Sequence, residues 1–277
     1  MLDWLTEEKI PVGKTFKHGF EWLRDNARWF FDGVEAILNW VIDMTLVVLQ
    51  FPHPLVMIGI FVAITWGIQR NWKTCVLVAL GLLFVVNQGY WEETTESLTL
   101  ILYACVVCMA IGVPVGIMAA HRPKFYRAIS PVLDLMQTLP TFVYLIPMIV
   151  FFGIGMVPGL VATVIFVVPA PIRLTHLGVS STPKALLEAA EAFGATPQQT
   201  LWKVELPYAL PQIMTGLNQT IMLSLSMVVI AGLVGADGLG VPVVRALQQV
   251  NAAKGFESGL VIVVVAIVLD RMLRVER

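Results

Sequence analysis

The segment with the strongest functional signal is residues 181–207, a charged stretch between long apolar segments. Thr182-Pro183 predicts a helix start, because threonine caps helices and proline fits their first turn. Gly194 predicts the end of that helix, since glycine adopts the left-handed conformation at low cost. The sequence Thr196-Pro197-Gln198-Gln199 predicts a second helix with a capping box, ending before Pro207. The segment offers charge and apolar contact, and it is too short and polar to cross a bilayer.

The reactive side chains of this chain do not form the sequence pattern of a catalytic or metal site. The four histidines lie at segment ends, at His18, His53, His121 and His176. Cys105 and Cys108 form a Cys-x-x-Cys pair, but no histidine or further cysteine lies nearby and an apolar setting disfavours thiolates. The sequence therefore predicts no catalytic residue, no metal site and no cofactor bound by this chain.

The composition indicates a chain that is embedded in a membrane. Hydrophobic residues make up 57% of the 277 residues and charged residues 13%, with a mean hydropathy of +0.80. A soluble domain has about a quarter of its residues charged, so we expect a polytopic membrane protein with lipid as a neighbour. The net charge of −1 argues against nucleic acid as a partner.

Long apolar segments predict an all-α membrane protein with about seven transmembrane helices. The predicted spans are residues 55–68, 74–88, 98–120, 129–153, 157–174, 213–234 and 258–273. Pro140 and Pro147 lie inside the fourth of these, where proline weakens the backbone hydrogen bonding of a helix.

The first part of the chain differs from the rest. Residues 1–31 form a polar tail, and residues 32–50 predict an amphipathic helix that lies in the membrane interface because several polar side chains interrupt it. A spanning helix is the alternative. We divide the chain into residues 1–50, two accessory spans in 51–91, and a main unit of 92–277.

The distribution of charge predicts an orientation. Basic side chains collect in the connections on one side and at the C-terminal end, with Arg70, Lys73, Arg122, Lys124, Arg127, Lys184, Lys203, Arg271, Arg274 and Arg277. The other side holds Glu92, Glu93, Glu96 and Asp237. The positive-inside rule then places the amino terminus outside, and the carboxyl terminus and residues 181–207 in the cytoplasm.

The charged segment resembles the "EAA" coupling loop of permease subunits of ABC importers. The residues that carry the resemblance are Glu188, Ala189, Ala190, Gly194, Val204, Leu206 and Pro207. Val204 stands where the family pattern has isoleucine. The resemblance implies that residues 176–208 form a cytoplasmic loop that docks into a groove on an ATPase subunit, with Glu188 supplying charge contact and Gly194 the turn.

The same resemblance implies the rest of a type I importer. The third to seventh spans would form a five-helix permease core, paired with a second copy as a homodimer, although a heterodimer stays open. Two copies of an ATP-binding subunit would hold ATP and Mg²⁺, since this chain has no complete phosphate-binding loop and is not predicted to be an enzyme. A periplasmic substrate-binding protein and the bacterial cytoplasmic (inner) membrane complete the expectation.

A longer resemblance is to permeases for quaternary ammonium compounds, namely glycine betaine, proline betaine and choline. It covers residues from about Glu92 onward, and the stretches that carry it include Gln137-Thr138-Leu139-Pro140, Pro171-Ile172-Arg173-Leu174-Thr175, Asn218-Gln219-Thr220, Gly238-Leu239-Gly240 and Leu269-Asp270-Arg271. The N-terminal part looks most like the choline-type branch. The resemblance implies import of such an osmolyte by alternating access.

Candidate passage residues follow from polar side chains inside apolar spans. Asn218, Gln219, Ser224 and Ser226 bring polar groups into the sixth span, where they either line the passage or bond helix to helix. Tyr144 offers cation–π contact to a quaternary ammonium group, with packing as the alternative. Gly112-x-x-x-Gly116 predicts close helix packing.

A stand-alone ion-coupled secondary transporter or channel is the other class of function considered. Such a protein is expected to show inverted repeats or ionisable residues at mid-membrane. The sequence shows neither, so the ATP-driven permease is the favoured interpretation.

Overall fold

The computed structural model describes residues 12–273, and this range is built from helices and their connections. In chain order the helices are α1 (Val12–Asn26), α2 (Arg28–Gln50), α3 (Pro54–Gln69), α4 (Trp72–Asn87), α5 (Trp91–His121), α6 (Pro123–Thr138), α7 (Thr141–Phe152), α8 (Met156–Val167), α9 (Pro169–Ser180), α10 (Lys184–Ala192), α11 (Pro197–Thr200), a π-helix (Leu201–Glu205), α12 (Leu206–Gly232), α13 (Gly240–Gln248) and α14 (Ala252–Leu273). The all-α class is as predicted, and Arg274 and Arg277 of the predicted orientation lie outside the described residues.

The centre of the molecule is the packing of α5, α9 and α12 against one another. A Cβ on Gly112 would lie 2.8 Å from Pro171 Cβ, and a Cβ on Gly116 would lie 2.6 Å from Thr175 Cβ. These distances are shorter than side chains allow, so only glycine lets α5 approach α9 this closely. The predicted role of Gly112 and Gly116 in helix packing is confirmed.

Each of the seven predicted spans falls on described helices, but their lengths differ. Four stretches are long and apolar enough to cross a membrane: Trp91–His121, Met156–Ser180, Pro197–Gly232 and Ala252–Leu273. Two pairs reach that length only together, Arg28–Gln50 with Pro54–Gln69 and Pro123–Thr138 with Thr141–Phe152. Helix α4 has 16 residues and is a shorter apolar helix.

The fourth predicted span is not one helix, and that detail of the prediction is wrong. Helices α6 and α7 meet at an angle of 95°. Leu139 has an extended ψ of 134° and Pro140 a ψ of 132°. The residue before a proline is kept out of the helical region by contact with the proline ring, which ends α6 at this point.

The N-terminal helices pack on the core. Thr45 Oγ1 and the Tyr103 hydroxyl form a hydrogen bond, and the rings of Phe31 and Phe151 stack with centroids 4.6 Å apart. Helix α2 therefore contacts α5 and α7, and it turns by 101° into α3. Part of the predicted polar tail is helix α1. The predicted interfacial position of residues 32–50 stays a prediction.

The bundle has two distinct ends. At the acidic rim, the start of α5 meets the α12–α13 turn, where Ser97 Oγ accepts a hydrogen bond of 2.8 Å from Leu239 N. A polar pocket of about 180 Å³ opens here among Glu92, Glu93, Glu96, Asp237 and Arg245. At the coupling-loop rim, the ends of α5 and α9 meet the segment 181–205. Helices α5 and α12 connect the two rims, and α8 and α9 together form a third connecting stretch.

Candidate coupling site

The first helix of the charged segment, α10, lies on the surface. None of its residues is buried, and Glu188 and Ala189 are exposed while Ala190 is half-buried. The predicted cap at Thr182-Pro183 is wrong. Pro183 has an extended ψ of 132°, so the helix begins one residue later, at Lys184. Thr182 is buried instead, and its hydroxyl has no hydrogen-bond partner among the described residues.

Gly194 forms the turn that the sequence predicts. Its φ is +76°, in the left-handed region that favours glycine. Ala195 N donates to Ala190 O at 3.0 Å, and Gly194 N donates to Glu191 O at 2.8 Å, which closes the end of α10. Phe193 precedes the turn and is 92% exposed. The turn therefore presents a large apolar side chain to solvent.

The predicted capping box is present at the start of α11. Thr196 N donates to Gln199 Oε1 at 2.9 Å, and Gln199 N donates back to Thr196 Oγ1 at 3.3 Å. This reciprocal pair satisfies two amides that a helix start leaves without partners. It fixes the direction in which the chain leaves the Gly194 turn.

The predicted end of this second helix before Pro207 is wrong. The chain continues through the π-helix directly into α12, so that residues 197–232 form one helical stretch. Leu206 N donates to Leu201 O across the wider π turn. Pro207 then falls in the first turn of α12, directly after the π-helix. The proline therefore lies inside this helical stretch rather than after its end.

The remaining coupling residues anchor the segment. Leu206 packs with the cluster of Val179, Ala209 and Ile213 at the base of α9 and α12. Val204 is half-buried and Pro207 is exposed. Of the residues of this pattern, Glu188, Ala189, Gly194 and Pro207 are thus exposed, Ala190 and Val204 are half-buried, and Leu206 holds the far end of the segment to the bundle.

One contact at this rim could not be expected from the sequence. His121 Nε2 lies 2.8 Å from Glu205 Oε2, which joins the last residue of α5 to the π-helix. Since a carboxylate only accepts, the imidazole N–H donates. Glu205 is 7% exposed and is the one charged residue among the described positions that is buried. The two residues are 84 positions apart, and no local pattern links them.

The candidate passage residues do not form one site. Tyr144 is buried in the core cluster with Met148 and Leu160, and its hydroxyl donates to Met136 O. Ser224 is fully buried, and no described group bonds its hydroxyl. Both side chains are therefore packed in the interior of this chain.

The other three candidates lie on different faces of α12. Asn218 Nδ2 donates to Asp270 Oδ1 at 3.2 Å, which bonds α12 to α14. Gln219 and Ser226 are exposed and seven residues apart, so they share one face of the helix. Asn218 therefore bonds helix to helix, as one of the two interpretations predicts. Gln219 and Ser226 instead form a polar face of α12 that no other described part of the chain covers.

Within residues 12–273, no three side chains of His, Cys, Asp or Glu come together as metal ligands would. Near the coupling-loop rim, Arg173 Nη2 donates to Asp134 Oδ1 at 2.7 Å and connects α9 to α6. His176 stacks on Tyr126 with ring centroids 3.7 Å apart. These pairs join neighbouring helices.

Comparison with known proteins shows what this architecture is used for elsewhere. The glycine betaine transport system permease protein OpuAB of Bacillus subtilis is 42% identical over 264 residues, or 95% of this chain and 93% of that protein. The glycine betaine/carnitine transport permease protein GbuB of Listeria monocytogenes is 45% identical over 246 residues, or 88% and 87%. A choline transport system permease protein of Bacillus subtilis, OpuBB, is 30% identical over 183 residues, or 66% of this chain and 84% of that protein.

Solved structures and a family model agree with these relatives. A chain of the MetNI methionine ABC transporter, in inward-facing conformations, matches with a TM-score of 0.59 and 28% identity, over 66% of this chain and 94% of that chain. Residues 112–275, from the middle of α5 onward, match the model of one family. This chain belongs to the family of binding-protein-dependent transport system inner membrane components.

Proposed function

We propose that this chain is the permease subunit of an ATP-driven importer for glycine betaine-type quaternary ammonium compounds, working by alternating access. The observation that carries the proposal is the exposed α10–Gly194 turn, which sits on the end of a helical core of the ABC permease type. The identity to glycine betaine permeases supports the substrate class, and it is higher than the identity to the choline permease.

The ATPase belongs to a separate chain, which holds ATP and Mg²⁺. Exposed Glu188 supplies charge contact to it, Ala189 and half-buried Ala190 allow close approach, and Phe193 adds an apolar side chain that is 92% exposed. Leu186 and Ala189 are exposed at helical spacing before Phe193, so the three together form an apolar surface, which supports docking of another protein.

A second copy of the chain completes the transport unit as a homodimer, with two ATPase copies beneath it. Gln219 and Ser226 support this step, since both are exposed on a helix apolar enough to cross the membrane. Polar groups on such a helix face other helices or water rather than lipid. Their uncovered face of α12 lines the passage at the contact between the two copies.

The orientation follows from charge. The acidic rim, with Glu92, Glu93 and Glu96, faces outward and receives the periplasmic substrate-binding protein. The coupling-loop rim faces the cytoplasm, where the basic connections lie. ATP-driven closure of the two ATPases moves the coupling loops, and the two permease copies then open the passage outward.

The proposal is tested by uptake of radiolabelled glycine betaine into liposomes that hold the permease, its ATPase and its binding protein. Wild type is expected to take up glycine betaine only with ATP. Gly194→Asp places a side chain at φ +76° and a charge on the docking surface, so uptake is expected to fall at least about tenfold with membrane insertion intact. Gly19→Asp on α1, where a Cβ meets nothing within 4 Å, is the matched control.

Uptake without ATP would reject the importer and favour an ion-coupled transporter. Uptake of choline but not glycine betaine would keep the mechanism and change the substrate. Normal uptake by Gly194→Asp would remove the coupling role of the loop.

A further inference from the structure

Glu205 occupies an unusual environment for a charged side chain. It is 7% exposed, at the point where the coupling segment enters α12. A buried carboxylate is costly unless it is paired and hydrogen-bonded. His121 supplies that partner at 2.8 Å, and His121 is the last residue of α5. The buried Glu205 carboxylate thus joins the π-helix to α5, and no other polar side-chain contact between these two elements is described at this rim.

The backbone around Glu205 is also irregular. Residues 201–205 form a π-helix, whose turn is wider than that of an α-helix. Such segments are rare and are frequently found at functional sites. Leu206 packs into the bundle directly after it, while Lys203 within it is exposed. The π-helix therefore lies between the exposed coupling loop and the packed start of α12.

Helix α5 connects this contact to the opposite end of the molecule. His121 ends α5 at the coupling-loop rim, and Ser97 near its start bonds the α12–α13 turn at the acidic rim. The 24 positions between them correspond to about 36 Å of helix at about 1.5 Å per residue. A shift of His121 along the helix axis would reach the acidic rim through this one helix, which holds Pro114 in its interior.

We propose that the Glu205–His121 pair positions α5 against the coupling loop, so that movement of the loop reaches α5 directly and not only through α12. Both are positioning residues, because each acts through the other and through α5. The inference rests on the proposed function and adds a second route by which the ATPase acts on the acidic rim. This positioning role differs from a role in stability alone. In the latter, His121 would serve only to pair the buried charge of Glu205.

A positioning role and a role in stability alone predict different transport ratios. The ratio to measure is the number of glycine betaine molecules imported per ATP hydrolysed. His121→Ala and Glu205→Ala are expected to keep ATP hydrolysis and to lower that ratio about tenfold, the size expected for losing one charge-assisted hydrogen bond. The double variant is expected to be as uncoupled as either single one, because the link is then absent in all three.

A pair that only satisfies a charge predicts the opposite. Glu205→Ala alone leaves no unpaired carboxylate, so it and the double variant would both keep the wild-type ratio while His121→Ala would not, and that result would overturn the inference. Wild-type ratios in both single variants would overturn it as well. Asp134→Ala is the control, since it breaks the 2.7 Å pair with Arg173 near the same rim without touching the loop, and its ratio should stay within about twofold of wild type.

If the alanine variants do not fold, Glu205→Gln and His121→Gln replace them. Each keeps a group able to bond its partner, so their ratio should fall about threefold, between the alanine variants and wild type. A wild-type ratio in both would overturn the inference. Failure of the proposed function is distinguishable, because wild type itself would then show no ATP-driven uptake, and the inference would fall with it.

Discussion

The two ends of the bundle are built in contrasting ways. At the acidic rim the α12–α13 turn is held by close backbone contact, with Leu239 fully buried and its N–H bonded to Ser97. At the coupling-loop rim, α10 buries none of its residues, and Phe193 is 92% exposed. One end gains its stability within the chain, whereas the other leaves α10 and its turn exposed, at the surface that we propose docks the ATPase.

The largest effect on stability is expected from a substitution that forces the acidic rim apart. Gly240→Val places a Cβ 2.2 Å from Val228 O, so α13 cannot stay against α12. We expect destabilisation of at least about 3 kcal/mol, the upper range for overpacking. Thermal melting and a sizing column measure it. Gly259→Val on α14, where a Cβ meets nothing within 4 Å, should melt close to wild type.

A smaller loss is expected from Ser97→Ala. It removes the acceptor of the buried Leu239 N–H, and an unsatisfied buried donor costs about 1–3 kcal/mol. The melting temperature should fall measurably. Ser226→Ala is its control, because that hydroxyl is exposed and bonds only within its own helix, to Met222 O. Equal melting of the two variants would mean that the acidic rim is not held by this bond.

The same kind of change at the coupling-loop rim should leave the fold unaltered. Gly194→Ala costs about 1 kcal/mol through its left-handed φ, but only locally, in an exposed turn where the added Cβ would meet nothing within 4 Å. We expect an unchanged melting temperature and weaker co-elution with the ATPase, by about fivefold in affinity. Gly33→Ala on α2 is the control, since its backbone needs no positive φ. A lower melting temperature would show that the loop contributes to the core.

The smallest effect is expected at the capping box. Thr196→Ala removes the hydroxyl that accepts from Gln199 N, which costs about 1 kcal/mol of local helix stability. Amide exchange at Gln199 should accelerate about fivefold while amides in α9 stay unchanged. Thr200→Ala, whose hydroxyl bonds a carbonyl of the same turn, should exchange like wild type.

Local signals in the sequence predicted local structure well. Gly194 and the Thr196–Gln199 box were identified because glycine and capping residues determine the conformation of their own neighbours. Gly112 and Gly116 were identified because spacing by four places them on one helix face. The apolar segments predicted where helices lie, since lipid requires every backbone group to be bonded within the helix.

The errors occurred where a local signal allows two outcomes. Pro207 fits either the end of one helix or the first turn of the next, and the π-helix before it selects the second. Pro183 was assigned to the first helical turn, but its ψ of 132° places it before the helix. Pro140 was assigned to a continuous span, but it separates two helices that meet at 95°.

The sequence alone determined the class of the molecule, the places of its helices and the shape of the coupling turn, because these depend on composition and on residues within a few positions of one another. Tertiary structure alone decided that Glu205 meets His121 and that Ser97 bonds Leu239. The first contact joins residues 84 apart and the second residues 142 apart. Such contacts depend on which faces of α5, α9 and α12 pack together, and no single segment encodes that choice.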